Sequence, residues 1–300
     1  MTVMTESVKF ERVGDISCTV GEGPLWSARE GAWYWVDIPA KTIWRVDAAT
    51  MAPRFWSTPE MPACLALTTS GGMIAGMETG VYSVMLEEEE TASILKLDAP
   101  AELGRGMRFN DGRCDRQGRF WSGTMVMDNP NGSPNGHLYR FSTADGMSAP
   151  IVSNLITQNG LAWSPDGRTM YLSDSHASSQ LIWAFDYDGD TGTPSNRRVF
   201  VDLNGYAGRP DGAAIDVDGC YWICGNDAGV IHRFTPQGKL DRTIAVPMAK
   251  PSMCAFGGPN MDQLLVASIA AGAPEGDALA GATVIVQVGV QGFPETPFKD

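Results

Sequence analysis

The sequence predicts an all-β protein, a six-bladed β-propeller of four-stranded antiparallel blades around a central channel. The 34 glycines and 19 prolines are spread so evenly that the longest stretch without either covers residues 168–188. Such frequent glycines and prolines leave little room for helices of ordinary length and favour short strands joined by turns. A unit long enough for four antiparallel strands also recurs six times, which is typical of a propeller.

Each repeat unit joins an apolar segment, a polar turn, an aromatic-rich strand, a second turn and a strand ending in a hydrophobic pair. The units begin, in chain order, GPLWSAREGAWYWVDI, CLALTTSGGMIAGME, DGRCDRQGRFWSGTM, NGLAWSPDGRTMYLSDS, DGAAIDVDGCYWICGND and SMCAFGGPNMDQLLVAS. Their turns stand at Gly31, Gly72, Gly118, Gly167, Gly219 and Asn260, which gives spacings of 41, 46, 49, 52 and 41 residues. Six such units fill the chain, so we expect one domain over residues 1–300. Two β-sandwiches with coincidental spacing are the alternative.

The two ends of the chain are expected to close the ring of blades. Phe10–Cys18 should pair with C-terminal strands around Val284–Val288, because a closed ring leaves no blade with an open edge.

The charge balance excludes some partners. Lys and Arg number 22 and Asp and Glu number 35, so the net charge is −13. Nucleic acids and anionic membranes attract clustered basic residues, so neither is an expected partner. No apolar run of 18 residues and no leader-like N-terminus is visible, which predicts a cytoplasmic protein. The composition sets no oligomeric state.

Several common enzyme chemistries lack their motifs. The six cysteines form no CxxC pair, and buried reduced thiols are favoured over three disulfides. The three histidines form no zinc-binding cluster. No GxSxG elbow, GxGxxG turn or GK[ST] phosphate loop is present.

The repeat register predicts a ring of polar residues at the channel. The innermost strand of each blade starts there, so equivalent positions in the six units converge. Counting back eight residues from each turn, or nine in the first unit, gives Glu22, Cys64, Asn110, Asn159, Asp211 and Ser252.

Two carboxylates and two amides on one ring need a partner, because like charges repel and buried polar groups must be satisfied. One divalent cation would supply it. Oxygen ligands suit Ca²⁺, Mg²⁺ or Mn²⁺, and Zn²⁺ or Fe²⁺ are also compatible. The alternative is that these side chains cap strands or bind channel water.

Five motifs spread over the chain carry a family resemblance: GEGP (21–24), RFNDGRCDRQGRFWSGTM (108–125), NGLAWSPDG (159–167), RPDGAAIDVDG (209–219) and KPSMCAFGG (250–258). They resemble the senescence marker protein/regucalcin and gluconolactonase family, which implies a metal-dependent sugar lactonase. By this resemblance Glu22, Asn159 and Asp211 match the metal ligands. Arg108 and Asn110 match a substrate-binding pair. Asp128 falls where the family often carries a glutamate that holds sugar hydroxyls.

The resulting hypothesis is hydrolysis of a sugar lactone to an aldonic acid. The metal would polarise the lactone carbonyl and activate water, and Asp211 could also accept the proton of the water. Two alternatives remain open at this stage: an organophosphate or ester hydrolase on the same metal site, and a non-catalytic calcium-binding propeller.

Overall fold

Six β-sheets, one for each repeat of the sequence, are arranged radially in the computed structural model, which describes residues 5–300. The first strand of each sheet contacts the first strands of both neighbouring sheets, and the sixth contacts the first. This closed order confirms the predicted six-bladed β-propeller. The predicted single domain also includes residues 1–4, which lie outside the described residues.

Two short strands, β1 (Thr5–Ser7) and β2 (Phe10–Arg12), precede the repeats and join the last two blades. The first blade comprises β3 (Gly21–Ser27), β4 (Ala32–Asp37), β5 (Thr42–Asp47) and β6 (Pro53–Ser57). The second blade comprises β7 (Pro62–Leu67), β8 (Met73–Met77), β9 (Val81–Leu86) and β10 (Ala92–Asp98). The third blade comprises β11 (Met107–Cys114), β12 (Phe120–Val126), β13 (Gly136–Ser142), β14 (Gly146–Met147) and β15 (Val152–Leu155).

The fourth blade comprises β16 (Gln158–Trp163), β17 (Thr169–Asp174), β18 (Leu181–Asp188) and β19 (Thr193–Asp202). One 3₁₀ turn, Leu203–Gly205, follows it. The fifth blade comprises β20 (Arg209–Ile215), β21 (Tyr221–Asn226), β22 (Val230–Phe234) and β23 (Leu240–Ala245). The sixth blade comprises β24 (Pro251–Gly257), β25 (Gln263–Ser268) and β26 (Val284–Gln287), and β2 completes it.

The outermost strand is the most exposed one in each blade. Every residue of the inner strand β16 is buried, whereas most of the outermost strand β19 is exposed. Neighbouring blades cover both faces of the inner strands, so these strands are apolar without strict alternation. Aromatic side chains join the blades: the ring centroids of Trp121 and Trp163, on adjacent blades, lie 5.7 Å apart.

The ring closes through both ends of the chain, as predicted, but with a shorter strand. Phe10 pairs with Val286 and Arg12 with Val284 in antiparallel register. Cys18 lies beyond that strand, although its amide donates to the carbonyl of Gly281 at 2.8 Å. A second N-terminal strand, which the sequence did not indicate, adds to the fifth blade: β1 runs parallel to β23.

The C-terminal segment crosses the end of the channel where the inner strands finish. The amide of Phe293 donates to the carbonyl of Ile215 in the fifth blade at 2.9 Å. The amide of Phe298 then donates to the carbonyl of Leu67 in the second blade at 2.7 Å. This end of the channel is therefore covered by the chain itself, and the strand starts face the other end.

A buried aspartate holds the first hairpin of the fifth blade together. One oxygen of Asp216 accepts hydrogen bonds from the amides of Asp218 at 3.0 Å and Cys220 at 2.9 Å. The other accepts from the Trp222 indole and from Nε of Arg233, both at 2.8 Å. Because the carboxylate is fully buried, these donors satisfy a charge that would otherwise be costly.

Candidate functional site

A β-bulge interrupts the inner strand of every blade at the predicted ring position. The pairing register shifts between Glu22 and Leu25, Pro62 and Cys64, Phe109 and Gly112, Asn159 and Ala162, Pro210 and Ala213, and Pro251 and Cys254. A bulge bends a strand and re-aims its side chains. The glycines that follow two ring residues, Gly23 and Gly160, adopt φ of 58° and 62°, a left-handed conformation that favours glycine.

The two ring amides, which the sequence places 49 residues apart, meet directly. Nδ2 of Asn110 donates to Oδ1 of Asn159 at 3.0 Å and to the carbonyl of Gln158 at 2.6 Å. Nδ2 of Asn159 donates to Oγ of Ser175 at 2.6 Å. Both amide nitrogens are thus engaged by protein acceptors. The carbonyl oxygen of Asn159, with a second lone pair, is available as a ligand atom.

The two ring carboxylates, Glu22 half-buried and Asp211 buried, are electrostatically unfavourable as they stand. Burial raises the pKa of Glu22 well above its usual range, and the charges of Asp211 and Asp111 raise it further. Burial also raises the pKa of Asp211, although a hydrogen bond from Nδ2 of Asn226 at 2.5 Å opposes that shift. A proton or a nearby cation would relieve this repulsion.

The remaining two ring residues are engaged within the protein. The thiol of Cys64 lies 3.3 Å from Oγ of Ser122, and burial raises its pKa to about 12, so it stays neutral. The hydroxyl of Ser252 donates to the carbonyl of Gly21. Among the six ring residues, the oxygen atoms available to hold a ligand therefore come from Glu22, Asn159 and Asp211.

The predicted substrate-binding residues have different surroundings. Nη1 of Arg108 donates to Oδ1 of Asn110 at 2.7 Å and to the carbonyl of Phe109 at 2.8 Å. Burial lowers the pKa of Arg108, and the nearby carboxylates of Glu22 and Asp211 oppose that shift. The structure thus brings Arg108 and Asn110 to the ring carboxylates.

Asp128 makes no hydrogen bond or ion pair with this group. It is exposed on the loop after β12 and has no hydrogen bond or ion pair to any residue within 5–300. Its expected role toward sugar hydroxyls therefore stays a prediction.

Two buried polar residues beside the ring were missed by the sequence reasoning. Oδ2 of Asp111 accepts from the amide of Leu161 at 2.8 Å, whereas its Oδ1 is buried without a partner. Oδ1 of Asn226, the residue that holds Asp211, is likewise buried without a partner. Asp111 follows Asn110 in the FNDG motif, and simple strand alternation would have placed it on the opposite face. The bulge is what brings it near.

The donor set of the ring fits a divalent cation. Two carboxylates and an amide carbonyl are hard oxygen ligands of the kind that Ca²⁺, Mg²⁺ and Mn²⁺ prefer. Within residues 5–300, no group of three or more His, Cys, Asp and Glu side chains is placed to share a metal. A cation here would therefore depend on the Asn159 amide as well as on Glu22 and Asp211.

The fold and this ring define a six-bladed propeller with an oxygen-rich site at the uncovered end of its channel. Residues 20–270 match the family described as the SMP-30/Gluconolactonase/LRE-like region, and the chain belongs to that family. No helix in residues 5–300 is long and apolar enough to cross a membrane.

Three similar proteins span most or all of the chain. A 6-deoxy-6-sulfogluconolactonase of Pseudomonas putida is 35% identical over 259 residues, 83% of each chain. Regucalcin of Xenopus laevis is 32% identical over 306 residues, which covers 97% of this chain and 99% of regucalcin. The structure of a luciferin-regenerating enzyme superposes with a TM-score of 0.91 at 26% identity, covering 98% of this chain and 100% of that one.

Proposed function

We propose that the chain is a divalent-metal-dependent hydrolase that opens sugar lactones to aldonic acids in the cytoplasm. The observation that carries the proposal is the electrostatic coupling of the half-buried Glu22 with the buried Asp211, on the same ring of positions as Asn159 at the uncovered channel end. Family membership and the likeness to a 6-deoxy-6-sulfogluconolactonase support the substrate class. All six cysteines are free and buried, which is compatible with a reducing compartment.

A divalent metal would supply Lewis-acid chemistry. When bound by Glu22, Asn159 and Asp211, it would polarise the lactone carbonyl and lower the pKa of a coordinated water.

The residues of the chain orient the substrate and handle the proton. The Arg108 guanidinium and the Asn110 amide, which hydrogen-bond each other at 2.7 Å, form a rigid polar edge suited to the ring and exocyclic oxygens of the lactone. In this proposal Asp211 also acts as the general base that accepts the proton of the attacking water. Attack of water at the carbonyl carbon breaks the bond to the ring oxygen, which leaves as the hydroxyl of the aldonic acid once it receives that proton.

A panel assay tests the proposal. Protein stripped with a chelator is assayed on glucono-1,5-lactone, a 1,4-lactone and an aryl phosphotriester, with Ca²⁺, Mg²⁺, Mn²⁺, Zn²⁺ or Fe²⁺ restored one at a time. We expect lactone hydrolysis that depends on the added metal and that Asp211→Ala abolishes together with metal retention. Glu88→Gln, an exposed carboxylate of the second blade, is the matched control and should behave like the parent.

Three results would contradict the proposal. Lactone hydrolysis that persists without metal would refute the metal dependence. Preferred turnover of the phosphotriester would indicate the organophosphate hydrolase instead. Stoichiometric Ca²⁺ binding with no turnover of any substrate would indicate the calcium-binding propeller.

A further inference from the structure

A second set of side chains lies next to the candidate metal site, toward the uncovered end of the channel. The positions two residues before the ring stand within one residue of the start of each inner strand, so they form an equivalent set in the six blades. These positions are Val20, Pro62, Arg108, Thr157, Arg209 and Lys250. Three of the six are basic and none is acidic, in a chain whose net charge is −13. This set of six positions therefore carries positive charge, unlike the chain as a whole.

Arg209 is tied to the candidate metal site through one residue. Its Nη1 donates to the carbonyl of Ser175 at 3.2 Å, and the hydroxyl of Ser175 accepts from the amide of Asn159 at 2.6 Å. The guanidinium thus bridges the fourth and fifth blades at the channel mouth. Its charge also opposes the upward shift that burial imposes on the pKa of Asp211.

Lys250 converges on the same point from the sixth blade. Its Nζ lies 3.8 Å from Oδ1 of Asp227, and Nε of Arg209 lies 2.6 Å from Oδ2 of the same carboxylate. Nζ also donates to the carbonyl of Ala271 at 2.8 Å. One carboxylate therefore faces two cations, which leaves one positive charge in excess. The Asp227 side chain is 47% exposed, whereas the Lys250 side chain is only 15% exposed. Lys250 is therefore the more firmly held of these two side chains.

We propose that Arg209 and Lys250 form a subsite for an anionic group on the substrate, at the end remote from the lactone carbonyl. This inference rests on the proposed lactonase function. The substrate class is a sugar lactone whose terminal carbon bears a phosphate, sulfonate or carboxylate. Two strand residues rise about 7 Å, which suits a six-carbon lactone with its carbonyl at the lower ring and its terminal group at the upper one. A guanidinium and an ammonium together suit a multi-oxygen anion.

Binding of product analogues tests the subsite without turnover. Calorimetry in the presence of Ca²⁺ would compare gluconate with 6-phosphogluconate, 6-deoxy-6-sulfogluconate and glucarate, which share a chain and differ in the terminal group. We expect the parent to bind at least one anion-terminated compound about ten- to a hundredfold more tightly than gluconate, because one charged hydrogen bond is worth that much. The compound with the largest ratio identifies the anion.

Three variants sharpen the measurement. Arg209→Met and Lys250→Met should each lower the ratio of affinities about tenfold or more, whereas Lys239→Met, an exposed lysine at the covered end of the fifth blade, should not. Asp227→Asn should raise the ratio, since it removes the competing carboxylate. Asp227 has a φ of 72°, a conformation that asparagine tolerates.

The outcomes separate this inference from the proposed function. A parent ratio near one, or an equal loss in Lys239→Met, would overturn the subsite even if glucono-1,5-lactone is hydrolysed. Failure to hydrolyse any lactone would overturn the proposed function, whereas the binding ratio would still decide the subsite.

Discussion

Glu22→Gln should lower the activity of the site, but it should raise the free energy of unfolding of the metal-free protein. In the metal-free protein, burial and two neighbouring carboxylates raise the pKa of Glu22 well above its usual range. A carboxyl with a raised pKa holds its proton more tightly when folded, so its ionisation opposes folding. That destabilisation is absent below about pH 4, the ordinary value for glutamate, and grows as pH rises toward the folded value.

The magnitude follows from the linkage. Each unit by which the folded pKa exceeds the unfolded one costs about 1.4 kcal/mol at pH values above both. We expect Glu22→Gln to stabilise the metal-free protein at pH 8, by about 1.4 kcal/mol for each unit of that shift, and by little at pH 4. For a domain of this size the gain corresponds to a rise of a few degrees in Tm. The same substitution removes one of two anionic ligands, so metal retention and lactone turnover should be lost.

Thermal unfolding in chelator at pH 4, 6 and 8 measures the first effect, and metal content with lactone turnover measures the second. Glu88→Gln, exposed on the second blade, serves as the control and should change neither quantity. A Glu22→Gln protein that is less stable than the parent without metal at pH 8, or one that keeps its metal and turnover, would refute the reasoning.

Three further predictions concern other parts of the molecule. Arg108→Ala and Asn110→Ala should keep the metal but lower kcat/KM for lactones about ten- to a hundredfold, which metal analysis and kinetics on the same samples would check. Asp128→Ala should instead change the order of preference among lactones of different length. Asp216→Ala should lower the free energy of unfolding in urea by about 3–5 kcal/mol, because it leaves buried Arg233 without a buried partner, whereas exposed Asp218→Ala should cost far less. The six thiols should not react with a disulfide reagent in the native protein and should all react in denaturant, since all six are buried; rapid native labelling would contradict this.

The blade count and the polar ring could be predicted because both depend on repetition. Turns at regular spacing define the blades, and equivalent positions must converge wherever blades are related by rotation. The contact between Asn110 and Asn159 confirms that convergence. The assignment of metal ligands stays a prediction, because it depends on a family resemblance and on charge rather than on an observed ion.

Features without a repeating signal could not be predicted. The bulge beside Asn110 leaves no periodic pattern in the sequence, so the sequence did not predict that Asp111 approaches the ring. The parallel strand Thr5–Ser7 is three residues long and its side chains are exposed, so no apolar pattern marks it. The C-terminal segment that covers the channel is held by backbone hydrogen bonds and by single side-chain contacts, such as that of Arg113 Nη1 with Oε1 of Glu295 at 2.8 Å, and no repeat in the sequence marks them.

The way in which the sixth blade is assembled has a consequence for folding kinetics. Five blades can form from strands that are neighbours in sequence, but the sixth needs Phe10 to meet Val286, 276 positions later (286 minus 10). Such long-range pairing is slow, because chain entropy must be lost before the contact is gained. Until it forms, β26 presents an open edge to other chains. We therefore expect the pairing of β2 with β26 to be the rate-limiting step of refolding and the stage most prone to aggregation.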